Sequence, residues 1–539
     1  MPNGKPTIRI NFIAILLLFI AFLAVPLGIL FVRSFETDEG FNLTNYLSVL
    51  SNKELMESIG NSIKISSLTA IITTVLAFTL AYAVNCTRIY KPLKSAIKVG
   101  ILLPMLLPTI TYGFAIIYSF GNQGLLTKII GRNLFAIYGF NGLLIGYIIY
   151  TLPAAFLLIN NSIKYIDKKF IIVSKLMGDG TIRSFKNTIV RPLLGTLGGA
   201  FILSFILSFT DFGIPASIGG TYSVVATQLY QVMLGAIPDF NNGAVIAVLM
   251  LVPAVFGILL LNYLEKLNFH YDKTTNVELL PHKGRDIGFG FVSSVILASM
   301  LSVFAVMFIA PFLVSFPYDL TFTFQHLVDA FESRSLLTVY KNSLFVALFT
   351  AIVGTFVAFS SAVINVRTAA KGRAAIDVIS MMTNTVPGMV LGLSYLLFFN
   401  GSSLKGTFFI IILCNLVHYF TTPYLMAKNA LSKMNPSWET TGELLGDSWM
   451  KTVYRVILPN ASSTVIEMFS YYFINSMVTI SGIIFLVSAK TSLVASKIKE
   501  LQYFAEFNEI FILSLLIFAT NLFVKLLCDY LQRRRFNHI

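Results

Sequence analysis

Long apolar runs alternate with short polar segments along the whole chain, a pattern that predicts membrane-spanning helices. A helix needs about 20 apolar residues to cross a hydrocarbon core of about 30 Å, where non-helical backbone finds no hydrogen-bond partners. Twelve runs meet this requirement, and we expect an all-α integral membrane protein. The runs are 10–32, 62–85, 97–120, 142–162, 193–212, 243–263, 287–316, 342–365, 375–399, 406–426, 461–487 and 509–530.

The charges of the connecting loops predict how these helices are oriented. Loop 33–60 carries a net charge of −3, whereas loops 86–98 and 164–191 carry +4 and +5, and Arg533–Arg535 lie near the end of the chain. Basic loops stay on the cytoplasmic side of a bacterial inner membrane. Both termini are therefore predicted to be cytoplasmic. The first run, 10–32, is too long for a signal-peptide core and is interpreted as a retained span.

Composition supports a lipid environment. The hydrophobic class makes up 56% of the residues and charged residues only 12%, so a soluble fold could not cover its surface. The net charge of +14 is concentrated in short loops, as the positive-inside rule predicts, and nucleic-acid binding is not expected. The three cysteines have no CxxC spacing and the five histidines are scattered, so neither a metal site nor a cofactor is expected.

The two halves of the chain repeat each other. We predict a first half at 1–264, a cytoplasmic linker at 265–286 and a second half at 287–539, each half with six helices of the same orientation. Such parallel repeats are related by an axis along the membrane normal, with the solute path between them. The matching pairs are Asn61 and Asn342, Pro108 and Pro387, Gly113 and Gly392, Pro153 and Pro423, Gly178 and Gly446, and Pro192 and Pro459, at offsets that fall from 281 to 267.

The loops after the fourth and tenth runs carry the most distinctive motifs. They read KLMGDGTIRSFKNTIVRPLL, from Lys175 to Leu194, and ELLGDSWMKTVYRVILPNA, from Glu443 to Ala461. Each has a short helical pattern, then Gly-Asp, a second amphipathic turn and a proline. In the second loop, Asn435 and Pro436 suit a helix start. A short rigid helix of this kind can dock on a cytoplasmic protein and transmit its movement.

These loops resemble the EAA loops of binding-protein-dependent ABC import permeases, whose pattern is EAA, three residues, Gly, nine residues and Ile-x-Leu-Pro. In the second loop the EAA positions are 440–442, preceded by an acid; in the first they are 172–174, and one extra residue follows the glycine. The resemblance assigns the coupling contacts to Ser174, Leu176, Gly178, Asp179, Pro192, Glu439, Gly442, Leu445, Gly446, Asp447, Leu458 and Pro459.

The resemblance implies the type I ABC importer permease fold, with two pseudo-symmetric six-helix halves in the bacterial inner membrane. It also implies two ATP-binding-cassette ATPase subunits, one under each loop, and an extracytoplasmic solute-binding protein. The chain itself is expected to catalyse no reaction and to bind no ATP, in keeping with the lack of a GxxxxGK[ST] phosphate loop in its sequence.

Fused double permeases of this kind resemble the iron(III), 2-aminoethylphosphonate and thiamine importers. The stretches Ser208–Gly220 and Ser476–Ile498 favour the iron and phosphonate branch. We rank iron(III) or a similar metal complex first, an organophosphonate close behind, and thiamine, a polyamine and sulfate further back.

Three polar residues in the predicted spans are candidates for the solute path, because polar groups in a bilayer are costly and often functional. Asp211 either lines the path or is a solvated loop acid. Glu467 either faces the path or pairs with a neighbouring helix. Asn475 either lines the path or joins helices through side-chain hydrogen bonds.

Two other functions remain as alternatives. A secondary transporter of the major facilitator type also has twelve spans in two parallel halves, but its Gly and Asp motif would lie between the second and third spans, where loop 86–98 has none. A membrane enzyme would need paired acids or a His/Asp/Glu cluster at the membrane face, and the sequence shows no such set.

Overall fold

The computed structural model describes residues 6–133, 135–167, 169–265 and 282–536, and they are mostly helical. The predicted linker, 265–286, therefore lies mostly outside the described residues. The elements before it are α1 Pro6–Phe19, α2 Val25–Phe35, β1 Glu36–Thr37, β2 Gly40–Phe41, α3 Thr44–Ser51, α4 Lys53–Cys86, α5 Lys91–Gly100, α6 Thr109–Phe120, α7 Leu125–Ile130, α8 Phe140–Ile163, α9 Lys169–Leu176, α10 Thr181–Phe185, α11 Leu194–Thr210, α12 Gly213–Ile218, α13 Val225–Leu234 and α14 Phe240–Glu265.

The elements after the linker repeat this order, including a two-stranded antiparallel hairpin that follows the first span of each half. They are α15 Lys283–Ile309, β3 Leu313–Ser315, β4 Asp319–Phe322, α16 Gln325–Glu332, α17 Arg334–Arg367, α18 Ala374–Thr385, α19 Gly388–Phe398, α20 Phe408–His418, α21 Thr421–Ser432, α22 Ser437–Leu444, α23 Trp449–Thr452, α24 Leu458–Asn460, α25 Ser462–Val478, α26 Val494–Tyr503 and α27 Phe507–Phe536.

The predicted spans correspond to helices, although several are not straight. Eight helices in the described part of the chain are long and apolar enough to cross a membrane, and the number rises to 11 if three sharply bent pairs each count as one span. The remaining predicted span, 461–487, contains α25, which has 17 residues, the same length as its counterpart α11. The repeated, mainly α-helical membrane fold is thus confirmed.

The third and ninth predicted spans are each broken at a proline, which corrects the expectation of continuous helices. The chain bends by 109° before α6 and by 102° between α18 and α19. Pro108 and Pro387 are the residues that immediately precede α6 and α19. Proline donates no backbone hydrogen bond and disfavours helical geometry in the residue before it, so each helix ends and a new one starts.

The two longest helices of the repeat, α4 and α17, both have 34 residues. Asn52 caps the first by accepting hydrogen bonds from the Glu54 and Leu55 amides, and Ser333 caps the second through the Leu336 amide. These side chains satisfy amides that have no partner inside the helix. At about 1.5 Å per residue, each helix is roughly 50 Å long and extends beyond the hydrocarbon core.

The residues form two compact units that do not follow the order of the chain. One contains Leu50–Gly235 and Val252–Gln325, and the other contains Met1–Val49, Ala236–Leu251 and His326–Ile539. The opening helices of the chain therefore pack with helices of the second half. There the ring centroids of Phe19 and Phe420 lie 4.5 Å apart, and the Tyr395 hydroxyl donates to the Phe22 carbonyl at 2.6 Å.

In the other unit, α15 packs with helices of the first half. The Ser119 hydroxyl donates to the Val303 carbonyl at 3.1 Å, and the rings of Tyr112 and Phe304 meet edge to face at 5.3 Å. Each unit is thus completed by the first span of the other repeat. The boundaries of the halves at 264 and 287 stay a prediction.

Candidate functional site

The second predicted coupling loop consists of two short helices joined by a tight turn at a glycine. After α22, Gly446 adopts a left-handed conformation with φ of +77°. Its amide donates to the Glu443 carbonyl at 3.0 Å, and the Asp447 amide donates to the Gly442 carbonyl at 2.9 Å. These two bonds form a Schellman motif, which satisfies the last carbonyls of a helix and favours glycine at the left-handed position. The chain then turns into α23, where Ser448 caps the Lys451 amide.

The first loop has the same turn at the equivalent place. Gly178, after α9, has φ of +82°, and the Asp179 amide donates to the Ser174 carbonyl at 3.1 Å. The Asp179 carboxylate accepts from the Ser174 hydroxyl at 2.8 Å and pairs with Arg183 at 3.1 Å. In the second loop, Asp447 pairs with Lys451 in the same way. Each aspartate therefore links the glycine turn to the helix that follows.

Just before each glycine, two apolar side chains are exposed on the surface of the protein. Leu176 and Met177 are 83% and 79% exposed, and their counterparts Leu444 and Leu445 are 84% and 76% exposed. Exposed apolar patches are typical of surfaces that contact another protein or a membrane. We call each of these pairs, Leu176 with Met177 and Leu444 with Leu445, an apolar tip.

The extra residue of the first loop is absorbed locally. Its second helix, α10, has five residues, whereas α23 has four, and a short π-helix follows in both loops, at Lys186–Val190 and Val453–Ile457. In both loops a three-residue segment with proline at its second position precedes the next span, but its helix type differs. Pro192 lies in a 3₁₀ turn before α11, whereas Leu458 and Pro459 open the short helix α24 before α25.

Two other predicted residues lie inside the second loop. Gly442 is buried, and a Cβ there would come within 2.5 Å of the Thr452 hydroxyl, so glycine permits close packing of α22 on α23. Glu439 is 6% exposed and forms an ion pair with Arg367, the last residue of α17. Arg367 escapes prediction from sequence because a basic residue at the end of a span is what topology alone requires. The available signal is the acid just before the EAA positions, which needs a partner when buried.

The candidate path residues have different environments. Asp211 is 4% exposed, so it is not a solvated loop acid. It accepts hydrogen bonds from the Ile214 and Gly213 amides and from Thr109, and it thereby anchors α12 to the start of α6. Glu467 is exposed on α25, and Asn475 is half-buried and donates to the Tyr471 carbonyl of its own helix at 2.8 Å. A path role for these residues stays a prediction.

Comparison with known proteins places the repeat and its loops in a family. The family described as binding-protein-dependent transport system inner membrane component matches residues 73–270 and 352–537, one copy in each half and more than half of the chain in all. The chain belongs to this family. It is therefore the permease of an ABC importer and a multi-pass inner-membrane protein, a role that differs from the secondary-transporter alternative. Membership implies an ATPase and a solute-binding protein as partners.

Curated relatives of the chain are transport permeases. A putative ferric transport system permease, FbpB 1, of Haemophilus influenzae is 26% identical over 91% of this chain and 79% of its own length. The ferric transport system permease FbpB of Actinobacillus pleuropneumoniae is 25% identical over 91% of this chain and 73% of its own. The thiamine transport system permease ThiP of Haemophilus influenzae is 26% identical over 51% of this chain and 49% of its own.

Proposed function

We propose that this ABC permease carries ferric iron and is driven by two ATPase subunits, one docked on each apolar tip. The observation that supports the docking is the repeated turn. Each tip presents two exposed apolar side chains next to a left-handed glycine, at the same place in both halves. Two equivalent contacts fit a pair of ATPase subunits better than a single one.

Ferric iron is the preferred solute because the two ferric permeases align with 91% of the chain, whereas the thiamine permease aligns with 51%. An organophosphonate remains the second candidate. The solute-binding protein performs most of the selection, and the permease provides the passage. The basic loops and both termini lie in the cytoplasm in this proposal, because their positive charge favours that side.

The docking is tested with Leu176→Asp and Leu445→Asp in the complete transporter. A carboxylate in an apolar contact is strongly unfavourable unless it is paired. We expect the amount of ATPase that co-purifies with each variant to fall by about tenfold or more. Uptake of radiolabelled ferric iron should be lost. The matched control is Leu320→Asp, an exposed leucine on the β4 hairpin strand, which should retain the ATPase. Normal ATPase retention by both tip variants would contradict the docking.

The solute is tested in the same cells by competition. Excess 2-aminoethylphosphonate or thiamine should leave ferric iron uptake unchanged. If cells take up either compound only when this chain is present, and do not take up iron, that compound and not ferric iron is the solute. A C-terminal fluorescent-protein fusion, which fluoresces only in the cytoplasm, checks the orientation of that terminus.

A further inference from the structure

An ion pair is buried at the first turn of α22, Ser437–Leu444, which we call the second coupling helix. The guanidinium of Arg367 donates from Nε and Nη2 to the two carboxylate oxygens of Glu439, with 2.6 Å between Nη2 and Oε2. The side chains of Arg367 and Glu439 are 4% and 7% exposed. This two-pronged geometry is the strongest and most directional form of a carboxylate pair.

The remaining donors of Arg367 bind the backbone nearby. Nη1 donates to the Leu431 and Met434 carbonyls at 3.3 and 2.9 Å, and Nη2 donates to the Asn435 carbonyl at 2.9 Å. All five N–H groups of the guanidinium therefore have acceptors. One side chain thus ties the end of α17 to the last turn of α21, to the connection that follows it, and to the first turn of α22.

The first half has apolar residues at the matching positions. The ends of α4 and α17 align through Thr87 and Thr368, which are 281 residues apart and each donate a hydroxyl to the carbonyl four residues earlier. Cys86 therefore stands where Arg367 stands in the second half. With the offset of 268 between the turn glycines, Ile171 stands in place of Glu439.

These two residues belong to one apolar cluster in their own unit. Cys86 is buried with other apolar side chains, and Ile171 packs against the cluster. Its buried members are Tyr82, Cys86, Ile163, Ile166, Ile189 and Leu193. Apolar packing is non-directional and tolerates small shifts of one helix over another, whereas the ion pair has one geometry.

We infer that Arg367 is a positioning residue that fixes the second coupling helix rigidly to α17, and that the two ATPase contacts of this permease are therefore mechanically unequal. The inference rests on the proposed docking of the loops. Movement of an ATPase subunit passes to α17 through a fixed joint in the second half and to α4 through an adaptable one in the first.

The joint itself is tested in the purified permease without ATPase, by hydrogen exchange. Arg367→Met leaves the Glu439 carboxylate buried alone, which strongly disfavours the docked helix. We expect amide exchange in Ser437–Leu444 to rise about tenfold or more, and exchange in Lys169–Leu176 to stay unchanged. Arg334→Met, at the exposed other end of α17, is the matched control. Unchanged exchange in Ser437–Leu444 would overturn the inference.

The positioning role is separated from a purely structural one by the double variant Arg367→Met/Glu439→Leu, which gives the second half an apolar joint. Replacing both partners of a buried pair by apolar groups restores stability in known cases. We expect thermal stability and ATPase retention to recover, while the amount of solute moved per ATP hydrolysed stays at least about twofold low. Recovery of normal coupling would show that the pair only stabilises the fold.

This result is independent of the docking test. If the apolar tips do not contact ATPases, Leu445→Asp retains the ATPase, while Arg367→Met still loosens Ser437–Leu444. If the joint is not rigid, the exchange result fails while Leu445→Asp still loses the ATPase.

Discussion

At the scale of single residues, each of the two predicted coupling loops turns at a glycine in a conformation that other residues avoid. Gly178 and Gly446 both have φ near +80°, and neither would place a Cβ within 4 Å of another group. The requirement for glycine is therefore conformational and does not come from lack of space. For an L-residue this conformation costs about 1–2 kcal/mol, with a smaller cost for asparagine.

We expect Gly446→Ala to destabilise the turn by about 1–2 kcal/mol and Gly446→Asn by less. Hydrogen exchange of residues 440–447 and thermal unfolding measure this order. The control is Gly288→Ala, an exposed position in α15 with nothing within 4 Å, where alanine should stabilise the helix by about 0.5–1 kcal/mol. Equal effects of alanine and asparagine at position 446 would argue against a conformational cause.

At the scale of elements, the helix that follows each proline break packs closely on a segment from later in the same half. A Cβ on Gly113 in α6 would lie 2.0 Å from the Ser217 hydroxyl of α12, and one on Gly392 in α19 would lie 2.2 Å from the Gly482 carbonyl. Small residues let backbones approach closely, which is a main source of helix association in membranes. In both halves, the segment after the fifth span of the repeat packs on the helix that starts at the proline break.

The substitution Gly113→Ala should therefore destabilise the unit that contains α6 and α12 by about 1–3 kcal/mol, because the added methyl overlaps a buried neighbour. Gly60→Ala is the matched control: Gly60 lies in α4, where a Cβ meets nothing within 4 Å. Thermal unfolding in detergent measures both variants. A second change, Ser217→Gly, removes the overlapping side chain and should recover part of the stability lost in Gly113→Ala. If no stability is recovered, the overlap with Ser217 is not the cause.

At the scale of the whole molecule, the two compact units exchange their first spans. The opening helices of the chain belong to the unit of the second half, and α15 belongs to the unit of the first half. Buried contacts such as Phe19 on Phe420 make this exchange part of the core of each unit. Loss of an N-terminal contact should therefore be detected in the second half of the chain.

We predict that Phe19→Ala destabilises the unit of the second half by about 3 kcal/mol, the usual cost of removing a buried aromatic ring. Hydrogen exchange should rise in α20 and α21 and stay unchanged in α8. Leu17→Ala, whose side chain is 59% exposed, should have little effect. A rise confined to α8 would contradict this assignment of α1.

The sequence alone determined the features that repeat and those that lipid demands. In a bilayer every backbone N–H and C=O group must find its hydrogen-bond partner within the protein, so apolar runs such as 62–85 and 342–365 had to be helices. The turn glycines 178 and 446 were also predictable, because few residues other than glycine accept their conformation. The one-residue difference between the two loops was visible as a spacing, although not where it is absorbed.

Only the tertiary structure decided which of these features meet. The exchange of first spans, the hydrogen bond from Thr109 to the buried Asp211 and the Arg367–Glu439 ion pair all depend on contacts between residues far apart in the chain. The joint shows the limit most clearly, because Arg367 and Glu439 are 72 residues apart and either charge alone fits a cytoplasmic loop. Hydrophobic patterning reports the local environment of each residue, whereas a buried pair is defined by two helices that only folding brings together.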